Sequence, residues 1–320
     1  MPILKLKAAL KDYIWGGTQL KTKFNKQSNL EKVAESWELS CHPDGASVIE
    51  GGPFGGQTLT EYIAKAGEGV LGEHCKRFEF FPILIKLIDA KDDLSIQVHP
   101  ANDYALRVEG GYGKTEMWYI VDCEEGARLF YGFKEKITKE EFQRHIEQNT
   151  LETALNSVKV NKGDVFFIDA GTIHAIGSGI LIAEIQQNSN TTYRVYDYSR
   201  KGADGKPRPL HVEKALDVTV TAPPHPSSTA DVTPTAFDGY TLRRLAGCEY
   251  FTVHIAEIAQ SAAFTADSTS FHSLVCIQGQ GTLSGAGESY SIKKGDSFFI
   301  PAGFGAYTLS GGMTVIKTVV

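Results

Sequence analysis

Two stretches of the chain align without a gap: Lys162-Gly163-Asp164-Val165-Phe166-Phe167-Ile168-Asp169-Ala170-Gly171 and Lys294-Gly295-Asp296-Ser297-Phe298-Phe299-Ile300-Pro301-Ala302-Gly303. Each reads as a Gly-Asp turn, an aromatic-rich strand and a turn of small residues. The match predicts two copies of one β module. The 32 glycines punctuate further short apolar runs at Phe80–Leu87, Met117–Val121, Ile180–Ile185 and Phe251–Ile258. Such spacing suits a sandwich or barrel. At about 150 residues per domain, a chain of 320 residues has room for two of them.

Helix signals are few. Thr58-Leu59-Thr60-Glu61 has capping-box spacing, followed by an apolar stripe of Leu59, Tyr62, Ile63 and Ala66. Thr138-Lys139-Glu140-Glu141 repeats the signal before Phe142 and Ile146, and Leu151, Ala154, Leu155 and Val158 form another stripe. These helices are expected as additions to a β scaffold. The segment Thr221–Ala236 holds four prolines and no periodicity, which predicts an extended linker. The expected organisation is a first module over 1–220, the linker over 221–236 and a second module over 237–320. Strands before Gln57 are candidates to pair with the second module.

Composition narrows the function. The net charge is −6 with no block of Lys or Arg, which argues against nucleic acid and anionic membranes as partners. No apolar run reaches the ~18 residues of a membrane helix, and Lys5, Lys7 and Lys11 interrupt the N-terminal stretch where a signal peptide would be apolar. Cys41, Cys75, Cys123, Cys248 and Cys276 are odd in number, scattered and free of C-x-x-C pairs, so neither a disulfide framework nor a cysteine zinc cluster is expected. A cytoplasmic location follows as the expectation. The sequence sets no oligomeric state.

The repeat also locates chemistry. Eleven residues after Gly163 stands His174, whereas eleven after Gly295 stands Ala306. The scaffold recurs and the histidine does not, which favours a function in the first copy. In Ser95-Ile96-Gln97-Val98-His99-Pro100, alternation puts Gln97 and His99 on one strand face. Glu116 opens the apolar strand of Lys114-Thr115-Glu116-Met117-Trp118. Two imidazoles, a carboxylate and an amide oxygen suit a divalent transition metal, zinc, iron(II) or manganese. His42, His74, His145, His211, His225, His254 and His272 lack a partner at ligand spacing and read as structural. The run Ala183–Asp197 joins Glu184, amides, hydroxyls and Arg194, a composition suited to a polyhydroxylated ligand.

These residues resemble the class I, cupin-type mannose-6-phosphate isomerases, in their short bacterial form. The matching motifs are Tyr13-Ile14-Trp15-Gly16-Gly17, Gln97-Val98-His99-Pro100, Lys114-Thr115-Glu116, Gly171-Thr172-Ile173-His174-Ala175, Glu184-Ile185-Gln186-Gln187, Thr192-Tyr193-Arg194-Val195-Tyr196-Asp197 and Arg208-Pro209-Leu210-His211. The resemblance implies an all-β fold of two cupin (jelly-roll) sandwich modules with a few added helices. It implies an aldose–ketose isomerase that interconverts mannose 6-phosphate and fructose 6-phosphate through an enediolate. By motif, one zinc ion per chain falls to Gln97, His99, Glu116 and His174, and Lys114 and Arg194 fall to the substrate. Trp15 lies in the first matched motif and is a substrate-binding candidate. Gly113 stands where some members of the family carry a His.

The reaction needs a base near C1 and C2 and positive charge near the developing oxyanions. Glu184 is the candidate base, or else a structural partner of Arg194. Lys114 is the candidate proton donor, and Arg194 suits either the enediolate or the phosphate. Lys86, closing an apolar strand, is a further phosphate candidate. Two other classes fit the same scaffold: a metal-dependent cupin oxygenase and a non-catalytic sugar-binding or regulatory cupin. Gln97 and the Arg-bearing polar wall weigh against the first, and the full set of polar candidates against the second.

Overall fold

A computed structural model describes residues 1–202, 205–225, 231 and 233–320. Both repeat copies form the expected strand, Val165–Ile168 in one and Ser297–Ile300 in the other. Their turns close with the same hydrogen bonds. Gly163 N donates to Ile120 O, and Gly295 N to Cys276 O, each over 2.8 Å; Asp164 O and Asp296 O accept in return from Ile120 N and Cys276 N, each over 2.9 Å. The Asp164 carboxylate caps Asn161 N, and that of Asp296 caps Lys293 N.

The described chain forms two compact units. One comprises Met1–Lys11, Thr18–Leu87 and Ser228–Val320, and the other Asp12–Gly17 and Ile88–Ser227. This differs from the expected boundary at residue 220. The cause is strand pairing between distant segments: Leu4–Lys7 runs antiparallel to Ser297–Ile300, with Leu4 opposite Phe299, and Val48–Glu50 pairs with Leu4–Lys7 in turn. Of the Pro-rich segment Thr221–Ala236, residues 226–230 and 232 lie outside the described residues. Its end is not extended linker but the start of the strand Thr235–Phe237, paired with Tyr240–Gly247.

In the first unit the long strands His272–Gly285 and Gly305–Val319 pair along most of their lengths. Strand alternation turns Leu274, Cys276, Val315 and Met313 into an apolar core with Ala256 and Phe298. In the second unit a five-stranded sheet runs in the order Tyr193–Tyr196, Ile96–Val98, His174–Ile176, Arg128–Phe133, Leu155–Lys159. One face carries Ile96, Val98, Ala175 and Val195, which pack with Phe142 and Ala215 from the helices Lys139–Glu147 and Val212–Val218. The alternate residues Gln97, His174 and Arg194 belong to the other face. Glu116–Cys123, flanked by Val165–Ile168 and Ile180–Gln187, supplies Glu116, and Ile180–Gln187 supplies Glu184.

Both capping boxes form, at Thr58/Glu61 and Thr138/Glu141. The last apolar stripe is not a helix throughout: Leu151–Ala154 makes one turn and Leu155–Lys159 becomes a strand against Arg128–Phe133. None of the five cysteines is in a disulfide. No helix among the described residues is long and apolar enough to cross a membrane.

The repeated glycines share a φ of +93° but differ in surroundings. A Cβ on Gly163 meets nothing within 4 Å, whereas one on Gly295 would lie 2.0 Å from Phe24 O. Gly163→Ala should cost ~1–2 kcal/mol for the left-handed backbone alone, and Gly295→Ala a further ~1–3 kcal/mol for the clash. Urea melts of the two variants should rank them in that order; equal midpoints would contradict it. A second expectation concerns acid. Burial pushes the imidazoles of His254 and His272 down to about 4 and about 3. Unfolded histidines take up protons near 6.5, so the unfolded state binds more protons below that pH. Stability should therefore be fully present above pH ~6.5 and fall toward pH ~4. The urea midpoint should drop less in His272→Phe than in the parent protein over that range.

Candidate metal centre

Hydrogen-bonded strand register builds the centre. Arg194 lies opposite Gln97, and Gln97 opposite His174, on three neighbouring strands. On the flanking strands Ile168 and Gln186 lie opposite Glu116, and Glu184 lies opposite Trp118. The side chains converge. His174 Nε2 is 3.5 Å from Glu116 Oε1 and His99 Nε2 is 3.9 Å from Glu116 Oε2. The ligand atoms of His99, Glu116 and His174 all lie within 4.8 Å of one another, and all three residues are buried. The Gln97 amide lies 3.5 and 3.4 Å from the two imidazole Nε2 atoms.

The imidazoles are oriented from behind. His99 Nδ1–H donates to Thr191 O over 2.8 Å and His174 Nδ1–H to Thr172 O over 2.9 Å. Each bond fixes the tautomer, so each Nε2 presents a lone pair to the carboxylate. Burial is the main cause that pushes His174 down to about 4; Lys114 adds to it, while the bond to Thr172 and the charge of Glu184 oppose it. His174 is therefore neutral at pH 7. Rotated about its terminal torsion, the Gln97 amide presents its oxygen on the same side. Two neutral nitrogens, a carboxylate and an amide oxygen, gathered in a buried place, fit a divalent ion.

Lys114 and Glu184 join this cluster. Lys114 Nζ lies 2.6 Å from Glu116 Oε2, 3.1 Å from His99 Nε2 and 3.9 Å from Glu184 Oε1. Glu184 Oε1 accepts from the Trp118 indole over 3.1 Å, and Trp118 meets the His174 ring edge-on at 5.2 Å. Glu184 makes no ion pair with Arg194. Instead Arg194 donates to Ser95 Oγ and Pro209 O, and Ser95 Oγ reaches Gln97 Oε1. Arg200 and Arg208 both pair with Asp197, so Arg194 alone of the three has no carboxylate at ion-pair distance among the described residues. Burial, then the neighbouring Arg208, lower its pKa from the usual value.

Trp15 is buried; its ring meets Tyr13 at 5.6 Å and its carbonyl accepts from Asp92 N. Lys86 belongs to the first unit, 3.7 Å from Glu35 and 5.3 Å from the Trp37 ring centroid. At Gly113 a Cβ would lie 2.5 Å from Pro100 O, so the close approach of that backbone excludes any larger residue. Sequence reasoning missed Trp118, Ser95 and the orienting carbonyls of Thr172 and Thr191. Trp118 could have been found, because alternation places it on the face of Glu116. Carbonyl oxygens carry no sequence signal.

Two β modules, one bearing a metal-type donor set, define an all-β cupin. Residues 241–320 match the family model of the mannose-6-phosphate isomerase cupin domain, and residues 3–125 that of the phosphomannose isomerase type I catalytic domain. The mannose-6-phosphate isomerase of Streptococcus mutans is 37% identical over 98% of this chain and 97% of its own. A probable mannose-6-phosphate isomerase of Bacillus subtilis, GmuF, is 38% identical over 96% of each. The crystal structure of the mannose 6-phosphate isomerase from Bacillus subtilis superposes with a TM-score of 0.92 at 36% identity and covers 100% of both chains. The chain belongs to the mannose-6-phosphate isomerase family.

Elemental analysis tests the centre. His99→Ala and His174→Ala should each remove most of the bound divalent metal, since each deletes one of few ligands. Full occupancy in both variants would refute the assignment.

Proposed function

We propose that this protein interconverts mannose 6-phosphate and fructose 6-phosphate, with one zinc ion per chain. The observation that carries the reading is a single arrangement: a buried cluster of two imidazoles and a carboxylate, a Lys114–Glu184 pair beside it, and an arginine with no carboxylate at ion-pair distance among the described residues. Membership of the isomerase family supports the same reaction. A zinc ion held by His99, Glu116 and His174, with Gln97 as a further ligand, would polarise the sugar oxygens as a Lewis acid.

The reaction moves the carbonyl from C1 to C2. C2 loses a proton and C1 gains one, while a proton passes from O2 to O1. In this reading Glu184 takes the proton from C2 and returns it to C1, its Oε1 fixed by the Trp118 indole. The Lys114 ammonium stabilises the enediolate oxygens and exchanges the oxygen-bound proton. Arg194 grips the phosphate, for which its planar fork is suited. Trp15 and Lys86 complete the proposed substrate set. Lys86 is already neutralised by Glu35, so its share of phosphate binding is subordinate to that of Arg194.

Kinetics test the assignment. Arg194→Ala should lower kcat/KM for mannose 6-phosphate at least ~100-fold, equivalent to ~2.7 kcal/mol, with zinc content unchanged. Near-normal turnover by a zinc-replete variant would remove Arg194 from the mechanism.

A further inference from the structure

The repeat allows the metal centre to be mapped onto the other copy residue by residue. Ile168 lies opposite Glu116, and its counterpart Ile300 lies opposite His272. Phe166 and Glu184 flank Trp118, as Phe298 and Lys317 flank Leu274. His174 lies opposite Gln97, and Ala306 opposite Thr265. Gly171 N donates to His99 O, and Gly303 N to Asp267 O. The second copy thus holds Thr265, Asp267, His272, Ala306 and Lys317 where the first holds Gln97, His99, Glu116, His174 and Glu184.

This second place is not filled in. Thr265, Asp267, His272 and Lys317 line a cavity of about 380 Å³, with Arg77 on its wall. Its chemistry differs from the first. An amide, two imidazoles and two carboxylates have given way to a hydroxyl, the Asp267 carboxylate, one imidazole, an alanine methyl and an ammonium. His272 Nδ1 is engaged with Tyr307 Oη over 2.8 Å, and Asp267 Oδ1 accepts from Thr269 N and Thr269 Oγ1. Lys317 stands over the Phe264 ring at 5.7 Å. Neither Lys317 nor Arg77 has a carboxylate at ion-pair distance among the described residues; Arg77 donates to the backbone carbonyl of Glu249. Glu249 itself is also on the wall. Burial alone pushes the Lys317 ammonium down to about 8.

We propose that this cavity is a second ligand site, distinct in chemistry from the metal centre, that takes a small oxyanion of the phosphate class on Lys317, Arg77 and Thr265. An anion there supplies the counter-charge that no described carboxylate at ion-pair distance supplies to Lys317 and Arg77. The inference does not depend on the reaction proposed above.

Calorimetric titration of the metal-loaded full chain tests it, with inorganic phosphate in one arm and glycerol 3-phosphate in the other. A saturable event should occur that Arg194→Ala leaves in place and Lys317→Met weakens at least ten-fold. Preference between the two ligands then separates free phosphate from a phosphate ester as the occupant. Lys317→Met removes a charge from an apolar setting and should fold; should it not, Arg77→Gln, at the solvent edge, should weaken the same event. Identical isotherms for the parent, Lys317→Met and Arg77→Gln, or no saturable event in either arm, would overturn the proposal.

Discussion

The Glu116 carboxylate is fully enclosed, and an enclosed charge persists only where cations or strong donors meet it. The packing of two sheets brings them. The other sheet sets His174, and His99 just after its strand Ile96–Val98, within 4 Å of the two carboxylate oxygens, and the chain two residues upstream sets Lys114 against one of them. Because both imidazoles are tied through Nδ1 to backbone carbonyls, they cannot turn away to relieve the crowding of lone pairs. The cluster is held in a state that attracts positive charge. Trp118, Glu184 and the Ser95–Gln97–Arg194 chain are arranged around that fact.

The two copies show how much of such a place belongs to the scaffold. The Gly-Asp turn, its reciprocal hydrogen bonds and the strand register recur in both. These features constrain backbone, and backbone hydrogen bonds are indifferent to the side chains that alternate between them. The inward positions near the cavity are therefore free to differ. One copy presents imidazoles and carboxylates there, and the other presents Lys317 beside one hydroxyl, one imidazole and the Asp267 carboxylate. The chemistry can change at constant fold because only about half a dozen side chains define it.

Elements with a local cause were legible. The capping boxes at Thr58 and Thr138 bond within four residues, so their sequence spacing was sufficient. Elements whose cause is remote were not. Leu155 and Val158 continue a helical stripe in sequence, yet they pair with Arg128–Phe133, and cross-strand pairing outweighs a short run of helical spacing. The unit boundary shows the same thing: a Pro-rich segment marks where the chain lacks periodicity, but the partners of Leu4–Lys7 are decided at Ser297–Ile300.

The sequence by itself determined the β class, the duplicated module, the asymmetry between His174 and Ala306, and the residue types of the donor set, because periodicity and repeats are properties of order along the chain. Tertiary structure alone decided which of those residues meet. Alternation placed Gln97, Arg194 and His174 on faces, but only register across three strands aligned them. The tautomers depend on carbonyls of Thr172 and Thr191 that any residue could supply. That Arg194 has no carboxylate at ion-pair distance among the described residues depends on Asp197 being taken by Arg200 and Arg208. The correspondence of Lys317 with Glu184 has no trace in the ten-residue repeat, since both residues lie on strands outside it and are equated only by what they face.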